Sequence, residues 1–179
     1  MSNRITHIIN ETFDREYFTD FGHMDTTRKL KEQIDAFHKQ FPSAEIDILA
    51  NLRASFPGIQ IENWTHLFNL DRCIRFLVQF DEERRYVCQL SIYGYFSVYH
   101  CPYHLENKRY IYGKKQFINQ SELEECDRMY ECVAAITNEQ PIWLTPEKLD
   151  EIIFDFSIPS IKHDYVIKLA DVLFTQHYL

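Results

Sequence analysis

The chain has 179 residues, 45% hydrophobic and 15% aromatic, with 14 Phe and 11 Tyr, which is enough apolar area to offset chain entropy and excludes the disordered class. One domain of this length buries roughly 70% of its unfolded surface without disulfides or a metal, so residues 1–179 are read as a single globular domain. Twenty-seven acidic against 19 basic residues leave a net charge of −8, which repels a polyanion, so nucleic acid is disfavoured as a partner and a basic protein suits the balance better.

At the N-terminus Arg4, Glu11, Asp14, Arg15 and Glu16 interrupt the stretch where a secretory signal needs an unbroken apolar core. Ile5, Ile8, Ile9, Phe13 and Tyr17 instead follow helical spacing, which predicts a helix over 3–20 ended by Gly22. Leu30, Ile34, Phe37 and Phe41 recur at i, i+4, i+7 and i+11, between a cap at Asp25 or Thr26 and a stop at Pro42, and predict an amphipathic helix. A shorter helix over 45–55 would bury Ile46, Leu49 and Leu52 and close at Pro57-Gly58.

The period then changes to two. Ile74, Phe76, Val78 and Phe80 alternate with Cys73, Arg75, Leu77 and Gln79, and after the polar run Asp81 to Arg85 the even positions Tyr86, Cys88, Leu90, Ile92, Phe96 and Val98 are all apolar. Pairing Phe80 with Tyr86, Val78 with Cys88 and Phe76 with Leu90 puts both apolar sets on one side. A two-residue turn at Tyr93-Gly94 would throw Phe96 and Val98 onto the other face, so the alternation predicts one long second strand bent at Gly94. Residues 73–101 then form a long bent hairpin, with Arg109 to Tyr112 a candidate third strand. Beyond it, Ser121-x-x-Glu124 reads as a capping box opening a helix with Leu123, Cys126, Tyr130, Val133 and Ala134 inward. Thr145-Pro146 opens a shorter helix through Ile153, and Ser160 a last one using Val166, Leu169, Val172 and Leu173. The expected class is α+β, a small antiparallel sheet flanked by five or six helices.

Chemistry-bearing motifs are sparse. Four glycines, none closer than 19 residues to another, exclude glycine-rich phosphate cradles, and no HExxH, calcium loop or GxSxG is present. Five cysteines at 73, 88, 101, 126 and 132 fit neither a disulfide framework nor paired zinc ligands, and read as reduced thiols of a cytoplasmic chain. The single reactive cluster is His100-Cys101-Pro102-Tyr103-His104, where an imidazole could activate a thiol or both could hold zinc, the basis for an alternative reading as a small hydrolase or metal-dependent enzyme. Against it stands the ordinary strand end with a buried thiol. No metal or cofactor is expected.

The odd-numbered sheet face carries Arg75, Gln79, Gln89, Tyr93, Tyr95 and Tyr99 with serines between them, a mixture that suits protein recognition if the face is open and local hydrogen bonding if a helix covers it. Glu122, Glu124, Glu125, Asp127 and Glu131 make one predicted helix acidic, either as a solvated face or as a surface for a basic protein. No stretch carries a family motif that transfers residue by residue. The overall profile, small, acidic, tyrosine-rich and without catalytic motifs, looks like that of bacterial immunity proteins that neutralise toxin domains. That resemblance of class implies a protein-binding module acting by stoichiometric occlusion of a partner such as a toxin domain. Trp64 and Trp143, read as exposed, would serve a third role in self-assembly.

Overall fold

A computed structural model describes residues 3–12, 24–65, 72–101, 103–104, 109–110, 120–149, 152–156 and 165–174. Three helices come first: α1 (Asn3–Thr12), α2 (Met24–Gln40) and α3 (Ala44–Ser55). Phe13, Tyr17 and Gly22 lie outside the described residues. On α3 the buried positions are Ala44, Ile48 and Leu52, whereas Ile46 is 71% exposed. Ala44, Ile48 and Leu52 keep a strict i, i+4, i+8 stripe, and Ile46 falls on the opposite side of the helix.

The sheet corrects the expected architecture. Five strands assemble in the order β1-β2-β3-β4-β7, formed by β1 (Gln60–Asn63), β2 (Cys73–Gln79), β3 (Arg85–Ser91), β4 (Tyr95–His100) and β7 (Ile142–Trp143). The first four are antiparallel neighbours and β7 joins β4 in parallel, so the sheet is mixed and larger than a bent hairpin. β5 (Tyr103–His104) and β6 (Arg109–Tyr110) pair only with each other, so the segment near 109–112 adds nothing to the main sheet.

Residues 73–101 hold three strands. Residues Ile92, Tyr93 and Gly94 form a three-residue turn, in which the Gly94 amide donates to the Ser91 carbonyl at 3.0 Å and Gly94 sits at φ 76°. A type I turn followed by a left-handed glycine is the common three-residue hairpin connection. An odd loop preserves parity, so Leu90 pairs with Phe96 and Cys88 with Val98 on the same face without any bend in a single strand.

The first hairpin also shifts. Its pairs are Val78 with Tyr86, Phe76 with Cys88 and Ile74 with Leu90, so each β2 residue faces a β3 residue two positions earlier than the sequence pattern suggests. Asp81 explains the choice: its Oδ1 accepts from the amides of Glu83 and Arg84 at 2.9 and 2.8 Å, and the Phe80 amide donates to the Arg84 carbonyl at 2.9 Å. The Asx turn starts the loop at Phe80 and leaves the facing of every side chain unchanged.

After the sheet come α4 (Gln120–Ala134), α5 (Pro146–Leu149), β8 (Ile152–Phe156), β9 (Tyr165–Lys168) and α6 (Leu169–Leu173). Instead of the five or six flanking helices expected, four of the described helices have ten or more residues, and α5 and α6 are single turns. α4 buries Cys126, Met129 and Val133, while Leu123, expected inward, is 40% exposed. α5 stops at Leu149; Ile152 onward is a strand paired antiparallel with β9, so Val166 belongs to a strand and the expected last helix shrinks to α6. Ser160 lies outside the described residues.

Both faces of the sheet are covered. The even face, from Ile74 to Val98, packs on Ile48 and Leu52 of α3 and on Cys126, Met129 and Val133 of α4. Against the odd face, Cys73 and Tyr95 meet Ile5, Ile8 and Ile9 of α1, Leu30 of α2 and Leu169, Val172 and Leu173 of α6, while Leu77 and Val87 meet Trp64. α2 serves both cores, with Leu30 on one side and Phe37 on the other. No described helix is long and apolar enough to cross a membrane.

Candidate functional site

The tyrosine face is an interior surface. Arg75, Gln89 and Tyr95 are buried, and Gln79, Tyr93 and Tyr99 are half-buried. Register places Arg75, Gln89 and Ser97 in one row across β2, β3 and β4. Within that layer Arg75 Nε donates to Gln89 Oε1 at 3.3 Å and Arg75 Nη2 to Cys73 Sγ at 3.0 Å, and Ser91 Oγ donates to the Leu173 carbonyl of α6. The polar character that suggested recognition is used inside the covered layer, within the sheet for Arg75 and against α6 for Ser91, because a buried guanidinium needs acceptors there. Both tryptophans are likewise engaged: Trp64 is buried, and Trp143 stacks on Tyr130 at 5.5 Å.

The His100 and Cys101 pair is split by the sheet itself. His100 meets Tyr86 ring to ring on the even face, with Nε2 at 2.5 Å from the Glu83 carbonyl, while Cys101 lies among Trp64, Leu77 and Val87 on the odd face. Successive strand residues point to opposite sides. Burial pushes the Cys101 thiol up to about 12, the reverse of an activated nucleophile. The His104 side chain lies outside the described residues. Burial also pushes Cys126 up to about 12, first among several causes, and Cys88 well above the thiol range. All five cysteines are buried and free, and no described group of three or more His, Cys, Asp or Glu is placed to hold a metal ion.

At the loop end of the first hairpin, charge gathers. Arg84 donates from Nε to Asp81 Oδ2 at 2.7 Å and from Nη1 to Glu125 Oε1 at 2.8 Å, so one side chain pins the β2–β3 loop to α4. Asp81 is held down to about 2, chiefly by the hydrogen bond from the Arg84 amide and next by the Arg84 side chain, and Arg84 is raised in turn, first by its bond to Asp81. Glu125 is raised because burial outweighs the Arg84 charge. Around this tie Glu82, Glu83, Glu124 and Asp127 are exposed. Glu124, Asp127 and Glu131 fall at i, i+3 and i+7, an exposed stripe along α4, while Glu122 is buried.

The sequence identified the acidic helix but read Asp81 to Arg85 only as a polar loop; the Asp-x-x-Arg spacing was the available signal for the tie. Compared with protein-family models, with curated proteins and with solved structures, the chain matches none.

Proposed function

We propose that the chain is a protein-binding module that occludes a basic partner stoichiometrically, in the manner of toxin-immunity proteins, and that it binds through the acidic end formed by the β2–β3 loop and α4. The observation that carries this reading is the double pairing of Arg84, which brings two acidic segments distant in sequence to one surface. Residues 81–85 and 120–131 together hold eight carboxylates against Arg84, Arg85 and Arg128. A concentrated field of one sign speeds encounter with an oppositely charged protein and rejects like-charged ones. With the sheet faces closed by helices, this end supplies the recognition surface that the tyrosine face does not. The hydrolytic alternative draws no support from the geometry, because thiol and imidazole lie on opposite faces.

The test is co-expression with the basic product of a neighbouring gene. A 1:1 complex by native mass, with association slowed about tenfold or more in Glu82→Lys/Glu124→Lys and weakened by salt, supports the reading. A complex indifferent to both the double reversal and salt, or no complex at all, overturns it.

A further inference from the structure

The Ile92–Gly94 turn lies at the end of the sheet opposite the acidic loop. There α1, α2, this turn and the segment 137–140 leading into β7 enclose a cleft of about 640 Å³, within the range of small-molecule sites. Phe37, Phe41 and Ile92 give it an apolar lining. Its polar lining departs from the rest of the chain: Arg4 and His7 stand on α1, Gln40 on α2, Asn138 and Gln140 on the connecting segment, and Glu139 is the single carboxylate among the lining residues. In a chain with 27 acids, that wall is locally depleted of negative charge.

Arg4 is held in place from two sides. Its Nη2 donates to the Tyr93 carbonyl at 2.9 Å and its guanidinium lies 5.5 Å from the centre of the Tyr95 ring, and no described carboxylate pairs with it. The Tyr93 hydroxyl in turn donates to Gln33 Oε1 at 2.9 Å. These two tethers tie the turn to α1 and to α2 and set the walls before any ligand arrives. The acidic end is distant: β3 separates the two by roughly 20 Å, more than twice the screening length of about 8 Å at physiological salt.

We propose that this cleft binds a small organic anion, a carboxylate on a flat apolar body, with the carboxylate against Arg4 and His7 and the body against Phe37 and Phe41. One permanent cation fits a single negative charge better than a phosphate dianion. The amides of Gln40, Asn138 and Gln140 are suited to neutral polar substituents of the same ligand.

Titration of the isotopically labelled full chain with 1-naphthoate, and with uncharged 1-naphthamide, tests the proposal through the backbone amide signals of Tyr93, Gly94 and Asn138. Saturable shifts confined to the cleft, with naphthoate about tenfold tighter than the amide, support it. Both Arg4→Gln and Asn138→Asp should bring naphthoate down to the level of the amide. The second variant sits on an exposed position, so it reads charge without relying on the α1 tether. Equal affinity for the two probes, shifts scattered over the surface, no shift at millimolar probe, or undiminished binding by Asn138→Asp overturns the proposal.

Discussion

Two carboxylates within reach of one arginine respond to pH with opposite signs. Asp81 is lowered from 3.8 to about 2, so as pH falls below about 4 the unfolded chain takes up its proton first; the stabilisation is full above that point and is lost as pH falls through about 2. Glu125 is raised by burial, so its contribution is full below its ordinary 4.5 and is lost as pH rises through the folded value. The Asp81 side chain is 46% exposed, which limits its share to the 0.2 to 1 kcal/mol, roughly, of exposed pairs. Melting curves from pH 2 to 7 should therefore show Asp81→Asn less stable than the parent at pH 7 and converging with it toward pH 2, with Glu125→Gln no less stable at pH 7. Parallel curves for the parent and Asp81→Asn would contradict this. Inside the sheet, Gln89→Leu removes the acceptor of Arg75 Nε and should cost about 1–3 kcal/mol in urea unfolding; an unchanged midpoint would mean that the guanidinium is satisfied without Gln89. Residue types were legible in sequence here, but partners were not. Gln89 and Arg75 look the same on paper whether they face solvent or each other, and the α1 and α6 residues that pack on the neighbouring Cys73 and Tyr95 come from the far ends of the chain.

The elements divide by how local their signal is. α2 and the strands of the first hairpin are written in periods of 3.6 and 2 that no distant contact needs to correct. The C-terminal third misleads because Val166, Leu169, Val172 and Leu173 imitate helical spacing across a junction: β9 ends at Lys168 and α6 begins at Leu169. The β-branched and aromatic run Ile152-Ile153-Phe154-Asp155-Phe156 was the better guide to a strand. β1 is not legible in sequence because four residues with one apolar side chain, Ile61, make almost no pattern. Turn geometry gives a sharper test. Gly58 and Gly94 both hold left-handed φ, 79° and 76°, so alanine at either meets a backbone penalty of about 1–2 kcal/mol. A Cβ at Gly58 has nothing within 4 Å, whereas one at Gly94 comes 3.3 Å from Arg4 Nη2. Gly94→Ala should therefore lower the melting temperature more than Gly58→Ala, and should also raise amide exchange in α1. Equal losses with α1 unaffected would show that the Arg4 contact is incidental.

For the whole molecule, the decisive feature is a sheet closed on both sides by helices from both ends of the chain. β3 is central, with all seven of its residues buried, while β7 is a two-residue edge strand returning in parallel after α4. Hydrogen exchange should rank β3 amides with the slowest, opening only with global unfolding, and β7 well ahead of them; β7 protection equal to that of β3 would count against this layering. The same layering explains why the tyrosine face could not be assigned from sequence: alternation identifies two faces but not what lies on each. It also bears on how such a chain can diverge. β4 sends Phe96 and Val98 into one core and Tyr95 and Ser97 into the other, and the three residues 92–94 decide which goes where. Losing or gaining one residue there would exchange the two sets wholesale, burying Ser97 among phenylalanines. Homologous chains are thus expected to vary the length of this turn by two residues or not at all, making loop length there a heritable parity rather than a tolerated surface variation.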